Sequence, residues 1–393
     1  MKKSRWIIIS SPFLSPFRTR LYSIDYYLVE GKTKANKCEL RTLIFGRNES
    51  LHYLIDLIYS ESHQIKDIGR TTLENINSIS EQTDSDIVLA EFDTIFSSEL
   101  SKHFLILPHL NFILDITPSL DILISNMNRL RRRSIKKIQN SKYTYEYTND
   151  IKKFDFFYDQ MYVPYTLEKH SKSSLIVSKK QSLKLFHRGG LFLVKLGEDY
   201  ISGILIVKMN KTVQCALLGI NSSTNEEEAG QAALFGLINW FKNEGFAEMD
   251  YGRTPPFASD SLFQYKRSWG MQIRRNPELD VGIYLRNLSD GVLDFLTINP
   301  MIFLCNYDLN IFVLLDSDDI DYDAFYRRYY TSGLQKAVII HKNYDMKIRG
   351  TLLPDNHLHQ LLTLNLQYNE LQNRKFYGNV ILFDKNNGQN KDT

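Results

Sequence analysis

Residues 189–220 constrain the fold more than any other stretch of the chain. Three largely apolar runs, 191–196, 201–209 and 213–220, are joined by the turns Gly197-Glu198-Asp199 and Asn210-Lys211. Two or three residues cannot carry a chain across a sheet, so these runs are predicted to pair as an antiparallel meander. A polar loop, 221–228, then leads into a helical run over 229–243, whose Ala232, Ala233 and Gly236 suit close packing on a sheet. Gly245 ends that helix, as glycine does just past a C-terminus. Residues 247–251 read as the next strand and 252–260 as a loop. A meander followed by a crossover helix and another strand predicts a mixed α/β sheet.

The flanks extend this pattern. Thr117-Pro118-Ser119 is a helix start, and Leu120, Ile122, Leu123, Met127 and Leu130 recur at helical spacing behind it. That helix is predicted to run on into Arg129, Arg131, Arg132, Arg133, Lys136 and Lys137, with no acid between Ile122 and Tyr145. A strand over 143–147 and helices over 150–165 and 181–187 follow. The first 118 residues read as α/β: strands at 7–9, 26–29 and 40–45, a helix over 51–61 and a polar loop over 78–86. Two further strands, 104–107 and 112–116, are expected to pair across Pro108-His109. The last stretch alternates short strands and helices, and the tail from Asn386 is polar and expected to be disordered. The units expected are 1–118, 119–280, 281–385 and 386–393.

Composition excludes several classes. With 393 residues, 43% hydrophobic and 24% charged, the chain is globular rather than fibrous or disordered. A net charge of +3 excludes a polybasic nucleic-acid coat, and no DNA partner is expected. Cys38, Cys215 and Cys305 are odd in number and far apart, which gives no disulfide framework and favours a reducing compartment. Residues 103–117 are interrupted by Pro108, His109, Asn111 and Asp115, and 301–315 by Asn306, Asp308 and Asn310, so neither reads as a membrane span. Lys2, Lys3 and Arg5 precede an apolar run too short for a signal peptide. A cytoplasmic protein without membrane insertion is expected.

Four segments carry a family resemblance. They are Leu130-Arg131-Arg132-Arg133-Ser134-Ile135-Lys136-Lys137, Gly197-Glu198-Asp199-Tyr200-Ile201-Ser202-Gly203, Gly245-Phe246-Ala247-Glu248-Met249-Asp250-Tyr251-Gly252-Arg253, and Phe263-Gln264-Tyr265-Lys266-Arg267-Ser268-Trp269-Gly270. In this order and spacing the chain resembles the GNAT acyltransferase fold, and within it the FemAB-like branch. The resemblance covers about 150 residues and implies a GNAT-like α/β fold of two such halves with a C-terminal extension. It also implies an acyltransferase whose activated donor needs no covalent protein nucleophile, so the lack of a Cys/His pair or GxSxG elbow is no objection.

The resemblance implies a role for particular residues. Lys266 stands where the family's lysine stabilises the transition state, with Tyr265 replacing the usual Phe beside it. Asp250 is placed to orient the amine or accept its proton; the alternative is a loop cap or a pair with Arg253. Arg253, in a Gly-Arg-Thr-Pro-Pro loop, suits a phosphate or carboxylate. Gln264, Trp269, Arg132 and Arg133 are expected to face substrate. The backbone at Leu217, Leu218, Gly219 and Ile220 is expected to lie along the donor, with strand 215–220 facing 249–252. Seven cations within 129–142 suit an anionic partner or a solvated helix face.

The donor stays open. Acyl-CoA is the first reading, yet Glu226, Glu227 and Glu228 stand where the acyl-CoA type carries its phosphate-binding turn. Aminoacyl-tRNA is the second. The acceptor expected is an amine on a small molecule or nucleotide sugar, including envelope or polysaccharide precursors; a catalytically inactive binding module is the remaining alternative. No metal is expected. Residues 316–323 lack the glycine and glutamate of a calcium loop, with Asp321 and Arg327 in their places, and His357 and His359 have no partner ligands nearby.

Overall fold

The structure is a computed structural model that describes residues 22–46, 48–170, 176–305, 307–315, 322–341 and 377–382. The strand expected at 7–9, the acidic run 316–321, His357, His359 and the tail lie outside the described residues.

The main sheet has eleven strands: β1 (Ser23–Thr33), β2 (Glu39–Gly46), β3 (Tyr59–Thr72), β4 (Ile87–Asp93), β5 (Leu105–Asp115), β6 (Tyr143–Thr148), β7 (Gly189–Leu196), β8 (Asp199–Met209), β9 (Thr212–Ile220), β10 (Glu248–Thr254) and β11 (Gln272–Leu285). Their order is β3-β1-β2-β4-β11-β5-β10-β9-β8-β7-β6. The predicted meander is β7-β8-β9, antiparallel throughout. After it the chain crosses through one long helix and returns as β10, parallel to β9. This is the GNAT-like order expected from the sequence.

The first half repeats the scheme. β1 and β2 form a hairpin, and β4 returns parallel to β2. The two halves then trade strands. β5 follows β4 in the chain but pairs with β10, while β11 follows β10 but pairs with β4. β5 and β11 also pair with each other at the centre. The boundary expected at residue 280 therefore falls inside β11, and each half is completed by a strand of the other.

Besides single turns such as Ser97–Leu100, the α-helices are α1 (Asn48–Ile58), α2 (Ile76–Gln82), α3 (Leu120–Ser125), α4 (Arg129–Gln139), α5 (Ile151–Phe156), α6 (Val163–His170), α7 (Lys179–Phe186), α8 (Glu226–Asn243), α9 (Ser261–Ser268), α10 (Asp290–Ile298) and α11 (Tyr322–Tyr329). Alternation along β5 divides the sheet into two faces. Leu110, Phe112 and Leu114 pack with α8, α9 and the buried side of α4, whereas Leu105 and Leu107 pack with α1 and α10. On the second face of the meander, Leu191, Leu193 and Leu205 are covered by Phe154, Phe157, Met161 and Phe186. Between α5 and α6 the chain widens into a π-helical stretch, Phe157–Tyr162. Gly219 admits it: a Cβ there would lie 2.8 Å from the Phe157 ring and from the Tyr162 backbone nitrogen.

A second sheet, β12 (Met301–Cys305), β13 (Asp308–Leu315), β14 (Leu334–His341) and β15 (Tyr377–Leu382), follows α10. Its two faces join different cores: Ile302, Ile311, Val313 and Ile339 pack with the second half, and Met301, Phe303, Phe312 and Val338 with the first. It is thus wedged against both halves. Among the described residues no helix is long and apolar enough to cross a membrane.

Four local expectations are corrected. Residues 105–115 form one strand instead of a pair. Pro108 is tolerated in this central strand because β11 bulges opposite it, stepping from Arg275↔Leu110 to Asp280↔Pro108. Residues 76–82 are helical rather than loop, since Ile76 and Ser80 share a buried face. The helix expected over 51–61 ends at Ile58, and the following residues form β3 along the edge of β1. Lastly, α3 and α4 are separate: the Asn128 side chain caps Arg131 N–H and starts a new helix, leaving Ile122 and Leu130 exposed.

Candidate functional site

The parallel pair in the second half opens. β10 and β9 are in register at Glu248↔Thr212, Met249↔Val213 and Asp250↔Gln214, and then part. The counterpart β2/β4 stays paired from Thr42↔Ile87 to Phe45↔Ala90, close to the end of β2. Beyond Asp250, β10 follows β5 to Arg253↔Asn111 and Thr254↔Leu110, while β9 follows β8 to Ile220↔Ser202. A gap therefore opens between the strand over 215–220 and the part of β10 beyond Asp250, while Met249 and Asp250 themselves stay paired with Val213 and Gln214. Asn221 N–H donates to the Ile201 carbonyl at 2.9 Å, which sets the parity of the ladder. Residues 217 and 219 then turn their backbone groups to β8, and the N–H groups of Leu218 and Ile220 turn to the gap.

Gly252 sits at the vertex as a bulge in β10, with φ of +76°. The bulge adds one residue, so Asp250 and Arg253 point to the same face. Asp250 Oδ1 accepts Gly252 N–H at 2.8 Å and Oδ2 accepts Asn111 Nδ2 at 3.3 Å. Asn111 Oδ1 in turn accepts from Asn276 Nδ2 at 2.7 Å. Burial pushes the Asp250 carboxyl above its usual value, against the Gly252 N–H and the nearby charges of Lys266 and Arg274.

Lys266 approaches the vertex from the opposite face. It lies on α9, whose start is capped by Asp260 accepting Phe263 N–H at 2.9 Å. Asp260 also accepts the Tyr53 hydroxyl at 3.1 Å, a tie from the first half. Phe263 packs edge-on against Phe112, and Lys266 Nζ lies 5.7 Å from the Phe112 ring. Lys266 is 6% exposed. Its Nζ donates to the carbonyls of Gly252 at 3.0 Å and Arg253 at 3.2 Å. Burial lowers its pKa to about 8, with Asp250, Cys215 and Asp260 opposing that shift. Cys215 lines the start of the gap, and burial pushes its thiol up.

The remaining predicted residues divide. Arg253 is exposed and pairs with Glu278 at 3.8 Å, not with Asp250. Gln264 is exposed, and its Nε2 donates to the Ala258 carbonyl, which steadies the loop before α9. Trp269 is completely buried, so it supports Tyr265 (ring centroids 6.3 Å apart) instead of facing substrate. Arg132 donates to the Ser125 carbonyl at 3.1 Å and joins α3 to α4, while Arg133 is exposed. Leu217 and Leu218 are half-buried, Gly219 and Ile220 buried.

Arg131 is the residue whose role the sequence does not reveal. It leaves the basic run to lie 4.7 Å from the Tyr265 ring centroid and 5.9 Å from that of Trp269. Its Nε donates to Ser268 Oγ at 2.9 Å, and it pairs with Glu227 at 3.4 Å. Burial lifts the Tyr265 hydroxyl to about 12, with Arg131 pulling the other way. Two of the three glutamates at the start of α8 are thus engaged internally, since Glu228 accepts the Tyr143 hydroxyl at 2.8 Å. Among the described residues, no group of His, Cys, Asp and Glu is arranged to hold a metal ion.

No protein-family model matches the chain, and no curated protein matches it. Solved structures similar to it include FemX, at 14% identity over 65% of this chain and 83% of that one, with a TM-score of 0.38. L-PGS from Bacillus licheniformis is 11% identical over 67% of this chain and 86% of its own, with a TM-score of 0.35. A GCN5-related N-acetyltransferase from Sphaerobacter thermophilus is 10% identical over 67% and 75%, with a TM-score of 0.31.

Proposed function

We propose that this protein transfers an acyl group from an activated donor to an amine. The observation that carries the reading is the opened β9/β10 pair with Lys266 and Asp250 at its vertex. A donor laid in the gap meets the backbone N–H groups of Leu218 and Ile220 along one wall. Its carbonyl carbon then sits near the vertex, where the amine attacks. Negative charge develops on the carbonyl oxygen, and the buried Lys266 cation is placed to stabilise it. One such donor is worth roughly 3–4 kcal/mol in a dry site. Asp250, its carboxyl pushed up by burial, accepts the proton the amine sheds as the C–N bond forms, and as the donor's C–S or C–O bond breaks that proton passes on to the departing thiolate or alkoxide.

Acyl-CoA is the donor we favour, with an amino sugar, amino acid or envelope precursor as acceptor. The engagement of Glu227 and Glu228 by Arg131 and Tyr143 reduces the repulsion that an acidic turn offers a pyrophosphate. Aminoacyl-tRNA is the second reading. It is favoured by Arg129, Arg133, Lys136 and Lys137, which are exposed on α4 and form no ion pair among the described residues. A thermal-shift screen of acetyl-CoA, longer acyl-CoAs and mixed aminoacyl-tRNA tests the choice. A ligand at 100 times its Kd stabilises by about 2.7 kcal/mol. A shift with an acyl-CoA supports the first reading and a shift with tRNA alone the second; no shift with any donor overturns both.

A further inference from the structure

The Asp250 carboxylate is held by a hydrogen-bonded chain that begins in the bulge of β11. Where β11 steps from Arg275↔Leu110 to Asp280↔Pro108, residues 276–279 leave the ladder. Thr94 and Ser97 of the first half pin this bulge. Thr94 Oγ1 donates to the Pro277 carbonyl at 2.6 Å, and Ser97 Oγ donates to the buried Asp280, which also pairs with Arg275.

Asn276 turns inward from the bulge and is 5% exposed. Its Oδ1 accepts Glu278 N–H at 2.9 Å and Leu279 N–H at 3.2 Å. A backbone N–H only donates, so the atom facing these groups is the oxygen, and the amide cannot be turned over. Nδ2 is thereby aimed at Asn111 on β5, whose Oδ1 accepts from it at 2.7 Å. That contact fixes the second amide in turn: Asn111 Nδ2 donates to Asp250 Oδ2 at 3.3 Å. The other carboxylate oxygen, Oδ1, accepts Gly252 N–H at 2.8 Å. Donor direction thus passes from the backbone of the bulge, through two amides, to one oxygen of Asp250. Each oxygen keeps a lone pair for the proton an amine sheds.

We infer that Asn276 is a positioning residue for acyl transfer: it sets the polarity of Asn111 and, through Asn111, the orientation of the Asp250 carboxylate. The inference rests on the acyl-transfer reading for what Asp250 does. A donor at each oxygen favours the ionised form. Burial pushes Asp250 the other way; the Gly252 N–H, Lys266 on α9 and Arg274 on β11 oppose burial, and Glu248 on β10 adds to it. Cys215 on β9 also lies near the carboxylate.

Asn276→Asp tests the polarity with almost no change of shape. The new carboxylate still accepts the two backbone N–H groups but has no donor for Asn111. Asn111 then turns over, presenting Nδ2 to the new carboxylate and Oδ1 to Asp250. Two acceptors face each other there, and Asp250 relieves the clash by taking a proton.

The measurement is the titration of Asp250, followed by carbon NMR of protein labelled at the aspartate carboxyls, with the signal assigned by its loss in Asp250→Asn. Asn276→Asp should raise the Asp250 pKa by at least about one unit, the size of one hydrogen bond to a charged group. In an Asn111→Leu background, or Asn111→Ala if that does not fold, the chain is broken, and the same substitution should raise it by less than about half as much. Turnover of glucosamine with acetyl-CoA should be lost at a correspondingly higher pH on acidification. An unmoved pKa overturns the inference. So does an equal rise with and without Asn111, which would be plain repulsion between two carboxylates. Circular dichroism checks that each variant is folded. If Asn276→Asp is not, Asn276→Ala decides, since it frees Asn111 without adding charge: a rise supports the inference and no change overturns it. The expected NMR shifts in a protein that acylates no amine with any donor would support the chain of amides and overturn the transfer reading, so the two failures are distinguishable.

Discussion

Lys266 and Asp250 hold one residue from opposite faces of the sheet. Lys266 Nζ donates to the Gly252 carbonyl at 3.0 Å, and Asp250 Oδ1 accepts the Gly252 N–H at 2.8 Å. Among the described residues they form no direct ion pair; the bulge stands between them. The charge that would stabilise an oxyanion and the carboxylate that would take a proton are therefore fixed relative to each other by one backbone unit.

Gly252 is consequently the residue whose backbone matters most. Its φ of +76° strains any residue with a Cβ, although a Cβ there would meet no atom within 4 Å. Gly252→Ala should cost about 1–2 kcal/mol through backbone strain alone. Chemical denaturation should find that loss, and turnover should fall by more than the loss of folded protein explains. An unchanged midpoint would show that the bulge is not held as described.

Lys266→Met should keep the fold and remove the cation. Turnover should drop by about 10²–10³, the effect of deleting one oxyanion donor, with little change in donor affinity. Steady-state kinetics beside circular dichroism checks this; near-normal turnover would remove Lys266 from the chemistry.

Acidity separates activity from stability at the same residue. Lys266, with a pKa of about 8 when folded and the ordinary 10.5 when unfolded, is a cation below about pH 8. Activity should fall as pH rises through 8. Between 8 and 10.5 the unfolded chain binds more protons, so this residue's contribution to stability should rise with pH. Burial pushes the hydroxyls of Tyr251 and Tyr265 up, and other groups titrate as well, so the comparison is wild type against Lys266→Met. The difference in their denaturation midpoints should shift toward wild type from pH 8 to pH 10, and a constant difference would contradict the burial of the amine.

Arg131→Ala should destabilise by about 1–2 kcal/mol, from the lost stack on Tyr265 and the bond to Ser268. Arg131→Lys should recover less than half, because an ammonium lacks the planar fork. Arg133→Ala, on the exposed side of the same helix, should change stability by less than about 0.5 kcal/mol. Equal effects at both positions would mean that Arg131 is one more surface cation.

How much of this was legible in the sequence follows from how local each feature is. The meander was readable because its turns are too short to permit anything else. Asp250 and Lys266 were readable because their motifs are contiguous. Arg131 was not: four arginines lie among residues 129–133, and only the partner helix α9, over 130 residues later, selects one of them. The single strand through Pro108 was hidden for the same reason, since the compensating bulge lies at 276–279. His109 carried no local signal either, because its partner Glu91 and the bulge opposite it belong to other strands. Trp269 misled in the opposite direction, as a motif position next to the candidate lysine that packs into the core.

The most direct test of the account is a mass-spectrometric turnover assay. Wild type and Lys266→Met would each be supplied with acetyl-CoA, longer acyl-CoAs or aminoacyl-tRNA, and with amino sugars, their phosphates and amino acids as acceptors. The account predicts an N-acylated product with at least one donor, reduced at least about 100-fold in the variant. An N-acylated product formed equally by both proteins, or none from any donor and acceptor, would contradict it.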